Sequence, residues 1–357
     1  MAEHALIIGG TGQVGRVAAQ RLLQDGWRVT VLHRGGDTPA AGARGRVVDR
    51  NDDAALDAVL AEGFDVVIDL LAFRLAHAQQ LLRNASRIGS VIVLSTAAVY
   101  RDADGLTLMD VRDEATCPRF DGPVGEGSAV VAPDDEGYAG RKRSIELALL
   151  ESGPPTTVLR AGAIYGPRSP QPREWFYVKR LLDGRRTVAL GFGGRGSLHP
   201  VSVFNLAEVI RLAAHRAGHR VLNVGDPGLP DERAIAAAIA NAMDREIIQV
   251  LLPGAPPVAS PWSVPHPFFL ATTAAEHELG YVPLCTLADA VRTTCRSIVQ
   301  EVESGGFEVR LSDKFGTPGL GCQVFVGRGA APFDYAAEDR LLESIARRAS
   351  AGDPDLR

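Results

Sequence analysis

Short runs of Val, Ile and Leu recur through the first half of the chain, separated by stretches with helical periodicity. HALIIGG (4–10), RVTVLHR (28–34), GRVVDR (45–50), DVVIDLLA (65–72), SVIVLSTAAVY (90–100) and TTVLRAGAIYG (156–166) read as six strands. Helices are expected after the first strand to about residue 24, then over 53–61, 75–87 and 138–150. Several strands are almost continuously apolar, where a sheet with one solvated face would alternate. That pattern belongs to parallel strands covered on both sides. Strand–helix alternation of this kind predicts an α/β, doubly wound parallel sheet, a Rossmann fold.

Beyond Gly166 the pattern loosens. Gly, Pro and Arg are frequent over 166–200, and a helix over about 203–216 precedes a strand, RVLNVGD (220–226), that can return to the sheet. Asp231 suits the N-cap of a further helix. The Pro-rich stretch 252–269 must be loop, and a helix over about 287–302 ends the clear part. The domains expected are a dinucleotide-binding unit of 1–166 plus about 203–226, a smaller substrate-binding domain of 167–202 and 227–302, and an extension, 303–357. Within that extension PFDYAAEDRLLESIARRA (332–349) suits a helix lying over the substrate domain or exchanged across a dimer.

Composition narrows the class. Apolar residues make up 46% of 357, enough for a sizeable core, and the net charge is −5. No basic run exceeds Arg141–Arg143, which disfavours a nucleic-acid partner. Cys117, Cys285, Cys295 and Cys322 show no Cys-x-x-Cys spacing, so reduced thiols of a cytoplasmic protein are expected and no metal site. No apolar stretch is long enough for a bilayer, so no membrane partner is expected.

The loop IIGGTGQVGR closes the first strand and opens the first helix. Gly9, Gly12 and Gly15 give G-x-x-G-x-x-G, while Gly10, Gly12 and Gly15 give G-x-G-x-x-G. Glycines there allow a tight turn and close approach of a pyrophosphate. The helix start, including Gln13 and Val14, offers unpaired amides to the phosphates. At the end of the second strand a carboxylate would bind the ribose of NAD, but the chain has His33 and Arg34. A guanidinium suits a 2′-phosphate, which favours NADP(H) over NAD. Asp49 is a candidate for the adenine amino group and Arg50 for phosphate or ring contacts.

Tyr138 and Lys142 stand four apart on the helix that begins YAGRK. Such residues share one face. An ammonium beside a phenol favours the phenolate, by roughly 1–3 pKa units when close. Arg141 and Arg143 are expected to face away from the pair, into solvent.

Taken together, GGTGQVG (9–15), LSTAAVY (94–100), YAGRK (138–142) and LRAGAIYGP (159–167) resemble the short-chain dehydrogenase/reductase superfamily, in its extended, epimerase/dehydratase-like branch. The resemblance runs from residue 4 to about 300, with NVGD (223–226) and ELGYVP (278–283) as later landmarks. It implies that Thr96 hydrogen-bonds the substrate oxygen, with Ser95 as an adjacent competitor. It also implies that Tyr138 carries the proton, and that Lys142 binds the nicotinamide ribose and lowers the tyrosine pKa. Leu70, Leu71 and Ala72 would line the cofactor, and the stretch from Ala161 to Ile164 would approach the nicotinamide amide.

Two departures narrow the chemistry that the resemblance implies. The Asp-Glu pair of sugar-nucleotide dehydratases is replaced by Ala97 and Ala98, which removes the acid and base for dehydration. Ala163 stands where many sugar-nucleotide enzymes carry an Asn that holds the diphosphate. Arg168, Arg173 and Arg195 are candidates for a substrate phosphate or carboxylate, and His199 for a second base or a structural role. The leading expectation is an NADP(H)-dependent ketoreductase acting on a sugar-like or polyhydroxylated small molecule. The alternatives are a nucleotide-sugar epimerase with tightly bound NAD(P) and a non-catalytic cofactor- or RNA-binding relative. A homodimer through the helices over 75–87 and 138–150 is implied by the branch.

Overall fold

The computed structural model describes residues 2–307 and 333–350. Cys322 and most of the stretch linking the last two helices lie outside them. Strands β1 (His4–Ile8), β2 (Arg28–His33), β3 (Arg44–Val47), β4 (Phe64–Asp69), β5 (Ile88–Thr96), β6 (Thr156–Ala161) and β10 (Arg220–Val224) form one seven-stranded sheet. Its order is β3-β2-β1-β4-β5-β6-β10, and every pair is parallel.

Successive residues of β1 illustrate why both faces must be covered. Ala5 and Ile7 enter one core, with Val14, Ala18 and Leu22 of α1 (Gln13–Gln24) and Leu206, Val209 and Ile210 of α6 (Val203–His215). Leu6 and Ile8 enter the other, with Leu56 of α2 (Asp53–Leu60), Leu81 of α3 (Leu75–Arg83) and Ile145 and Leu149 of α4 (Tyr138–Ser152). The period-two alternation of a strand therefore builds two cores from one apolar run. Side-chain caps start several helices, with Asp52 accepting from the Ala55 amide, Ser202 from Asn205 and Asp231 from Ala234.

The strand expected over 156–166 is two. Gly162 breaks it, because a Cβ there would lie 2.3 Å from the His199 carbonyl oxygen. Beyond it β7 (Ala163–Tyr165) leaves the main sheet and pairs with β9 (Pro200–Ser202). The helix expected over 75–87 stops at Arg83 and continues as a single 3-10 turn, Ala85–Arg87.

A second lobe is built from α5 (Trp175–Leu182), β8 (Thr187–Leu190), α7 (Glu232–Ala242), β11 (Ile248–Leu251) and α9 (Leu287–Glu303), while α8 (Thr273–Leu279) packs its Ala275 and Leu279 into the core beside α6 and β10. β8 and β11 pair in parallel, and α5, α7 and α9 share an apolar core with Trp262. The C-terminal helix α10 (Tyr335–Ser350) lies on this lobe. Glu338, 4% exposed, meets the buried Arg180 at 3.2 Å, and the Tyr335 hydroxyl donates to Asp183 at 2.5 Å. The Arg180 guanidinium also stacks 3.7 Å from the Phe176 ring centre. No helix among the described residues is long and apolar enough to cross a membrane.

Candidate active site

In an open parallel sheet, ligands sit beyond the carboxyl ends of the strands, where the strand order reverses. Here the reversal lies between β1 and β4. A cavity of about 780 Å³ opens there, lined by Gly9–Gly15 after β1, Leu70, Leu71 and Phe73 after β4, the end of β5, and Ala161–Ile164.

The glycine turn is built for close approach. Gly9 has φ +86°, and a Cβ on Gly15 would lie 2.4 Å from the Gly9 carbonyl oxygen. Helix α1 starts at Gly12 with no side-chain cap and no acidic residue in its first turn. Its leading amides therefore face the cavity with a partial positive charge and no built-in counter-charge. Gly9, Gly12, Gln13, Val14 and Gly15 all line the cavity, and together they fit the pyrophosphate of a dinucleotide.

At the other end stand the residues of acid/base type. The Thr96 Oγ1 accepts from the Ala98 amide at 3.2 Å, and Thr96 also hydrogen-bonds the half-buried Tyr138. With its oxygen already receiving a backbone proton, the Thr96 hydroxyl can point its own hydrogen at the Tyr138 oxygen or at a substrate oxygen. Burial pushes the Tyr138 phenol above its ordinary value, while the Thr96 hydrogen bond and the Arg141 charge pull it down. Arg141, expected in solvent, is tied to the start of the helix, where it donates to the Asp135 carbonyl at 3.4 Å and the Glu136 carbonyl at 2.7 Å. The Lys142 ammonium is 3% exposed and donates to the Ala72 carbonyl at 2.7 Å and the Leu94 carbonyl at 2.8 Å. It stands 6.0 Å from the Tyr138 ring centre and 4.6 Å from that of Phe73. Burial lowers its pKa to about 8, against the upward pull of Asp69 and Glu146.

Ser95 and Thr96 are separated by the pleat. Ser95 donates to the fully buried Glu146 at 2.5 Å, on the side away from Tyr138. Glu146 also takes Arg160 at 2.7 Å and Arg143 at 3.0 Å, so Arg143 is ion-paired instead of solvated. Arg160 reaches the Tyr100 hydroxyl, which donates to Asn223 at 2.7 Å. This buried network ties β5, α4, β6 and β10 together behind the reacting groups. Sequence reading missed it, although a carboxylate inside the apolar SIELALL, four residues after Lys142, was a visible signal. The lining side chains Phe73, Leu108, Met109 and Gln171 were also missed, since nothing in their local sequence marks them.

Other expected residues fall in varied places. Arg50 does not reach a cofactor, because its guanidinium is buried and bonded to Asp69 at 2.6 and 2.7 Å and to Gln80 at 2.8 Å. Asp69 in turn accepts from the Leu71 amide at 2.8 Å, holding the wall after β4, while Ala72 contributes its carbonyl to Lys142. His33, Arg34 and Asp49 lie at the ends of β2 and β3, outside the cavity lining. The His33 ring accepts from the Gly35 amide, Asp49 accepts from Asn51, and Arg34 is exposed.

Arg168, at φ +61°, lines the cavity and pairs with Asp37 at 2.8 Å, joining the loop after β7 to the loop after β2 across the rim. Arg173 lines the cavity, donates to the Ile164 carbonyl and faces the Trp262 ring. Arg195 is exposed and outside the lining, because the glycine turn Gly193–Gly194 carries it away. His199 lines the cavity but is not a second base. Its Nδ1 accepts from the Leu270 amide at 3.0 Å, which leaves Nε2–H to donate to the Asp226 carbonyl at 2.9 Å. Burial lowers its pKa.

Comparison with known proteins agrees with this arrangement. Over 312 residues the chain is 26% identical to the chloroplast stem-loop binding protein of 41 kDa b of Arabidopsis thaliana, covering 81% of this chain and 77% of that protein. Over 319 residues it is 28% identical to dTDP-6-deoxy-L-talose 4-dehydrogenase (NAD(P)(+)) of Kitasatospora kifunensis, covering 80% and 92%. The fold matches that of UDP-glucose 4-epimerase from Thermotoga maritima with a TM-score of 0.65, at 18% identity, over 84% of this chain and 99% of that one. The family model for the NAD dependent epimerase/dehydratase family matches residues 5–225. With that match spanning more than half of the chain, the protein belongs to the NAD dependent epimerase/dehydratase family and is an NAD(P)-dependent oxidoreductase or epimerase.

Proposed function

We propose that the protein is an NADP(H)-dependent ketoreductase that moves hydride to or from one carbon of a sugar-like or polyhydroxylated small molecule. The observation that carries this reading is the hydrogen-bonded Thr96–Tyr138 pair on the wall of the cavity that begins at the glycine turn. A protonated phenol gives a proton to a carbonyl oxygen, which is what reduction requires. When bound, the nicotinamide supplies the hydride. Gly9–Gly15 hold the pyrophosphate, Lys142 and the Ala161–Ile164 stretch face the nicotinamide end, and Thr96 orients the oxygen. Arg34, in a place where NAD-specific sites carry a carboxylate, supports a 2′-phosphate. The Kitasatospora relative, by its name, works with either dinucleotide.

Tyr138→Phe tests the reading. Ketone-dependent NADPH oxidation should fall by roughly 10²–10⁴-fold while NADPH affinity stays within a few-fold. Unchanged turnover would remove the phenol from the chemistry.

A second reading, an epimerase with retained cofactor, draws support from the Asp37–Arg168 pair that joins the two sides of the rim. Its mark would be nicotinamide released only when the purified protein is denatured. Pairing of two copies through α3 and α4 is part of the proposal, and light scattering at the monomer mass would remove it.

A further inference from the structure

One wall of the cavity says more about the acceptor. Ala97 and Ala98 follow Thr96 directly, and Ala97, Leu108, Leu198 and Phe268 belong to a single apolar cluster. All five line the cavity, with the half-buried Met109 beside them. Three of the polar groups that line the cavity are engaged elsewhere. The Ser95 hydroxyl is bonded to Glu146, both ring nitrogens of His199 are bonded to backbone, and the Lys142 ammonium is bonded to two carbonyls. Ser169, Gln171 and Arg173 come from a different segment, the loop after β7.

Building on the oxidoreductase reading, we propose that the acceptor is a ketone, or the matching secondary alcohol, whose carbons next to the reacting centre carry hydrogen or alkyl groups in place of hydroxyls. Hydroxyls on a sugar-like body then sit away from that centre, towards the loop after β7. In the reductive direction the carbonyl carbon gains a hydride and its oxygen gains the phenolic proton, with NAD(P)H oxidised to NAD(P)+. The Thr96 and Tyr138 hydroxyls both serve that one oxygen. A neighbouring hydroxyl pressed against Ala97, Leu108 or Phe268 would lose its water partners and find none. Leaving a buried hydroxyl unpaired costs about a factor of five to a hundred in selectivity.

The near-isosteric pair 2-methylcyclohexanone and 2-hydroxycyclohexanone tests this with the full-length protein. Binding is followed by calorimetry in the presence of NADP+, and turnover by NADPH oxidation. The methyl ketone should bind, and its kcat/KM should exceed that of the hydroxy ketone by at least about tenfold. Met109→Gln puts an amide on the half-buried edge of the wall and should narrow that ratio. Equal or reversed preference, no binding of either ketone, or a ratio unmoved by Met109→Gln would each overturn the proposal. Preferential reduction of the hydroxy ketone would do so while leaving the oxidoreductase reading intact. Tight binding of the methyl ketone without NADPH oxidation would sink the oxidoreductase reading and keep the apolar subsite.

Discussion

At Lys142 the balance of forces differs from a simple ammonium–phenolate pair. Its ammonium is held by two carbonyls, and burial brings its pKa to about 8. The protonated form makes both bonds charge-assisted and keeps a third N–H for a ligand in the cavity. For the free protein, kcat/KM should therefore fall as pH rises through about 8, as the charge is lost. A flat profile from pH 7 to about 9 would remove this role for Lys142. Arg34 can be judged as directly. Arg34→Ala should weaken NADPH binding by about 1.5–3 kcal/mol, the worth of a hydrogen bond to a charged group, and leave NADH nearly unchanged. Parallel titrations of the two dinucleotides check it. Tyr138 and Lys142 could be singled out in the sequence because their spacing is local, whereas Thr96, 42 positions earlier, was reached only through the family resemblance. What Arg50 and His199 do was not legible, because Asp69 and the Leu270 amide reach them only after folding, whereas the Arg143–Glu146 pair is a local i,i+3 spacing that the reading overlooked.

The strand β5 shows how an element divides labour between neighbours. Thr96 meets Tyr138, whereas Ser95 points to the other face and meets Glu146. The two hydroxyls should separate in experiment. Ser95→Ala removes one donor from a buried carboxylate, and should cost about 1–3 kcal/mol of stability while kcat stays within a few-fold. Thr96→Ala should do the reverse, with a large loss of kcat and a smaller stability change. Denaturation curves and steady-state kinetics on both variants decide it, and a Ser95→Ala variant as inactive as Thr96→Ala would break the division. Elements of this kind were readable from the apolar runs. The split of the sixth strand was not, since the cause is the His199 backbone lying against Gly162, 37 positions further along the chain.

The whole molecule joins a doubly wound sheet to a smaller lobe with buried acids in its core. Glu174 has no exposed surface, and burial raises its pKa to about 7. An unfolded glutamate titrates near 4.5, so in the pH window between those values the folded state binds the extra proton. Stability is therefore greatest below the lower value and is lost as pH rises towards about 7, by on the order of 3 kcal/mol. Glu174→Gln should flatten that loss and raise the melting temperature at pH 8 relative to the parent, as calorimetry across pH would reveal. Such a carboxyl is invisible in sequence, because PREWFY looks like an ordinary polar entry to a helix. The docking of α10 was open between two arrangements for the same reason, as only folding brings Arg180 to Glu338.

The Asp37–Arg168 contact has a kinetic consequence. Its two charges are each about half exposed, at 52% and 49%, so dissolved salt screens their attraction. Parting of these loops is easier in concentrated electrolyte, and a molecule that passes beneath them moves more freely there. Exchange of the dinucleotide should quicken as sodium chloride is raised, and Asp37→Asn should be fast from the outset and insensitive to the added salt.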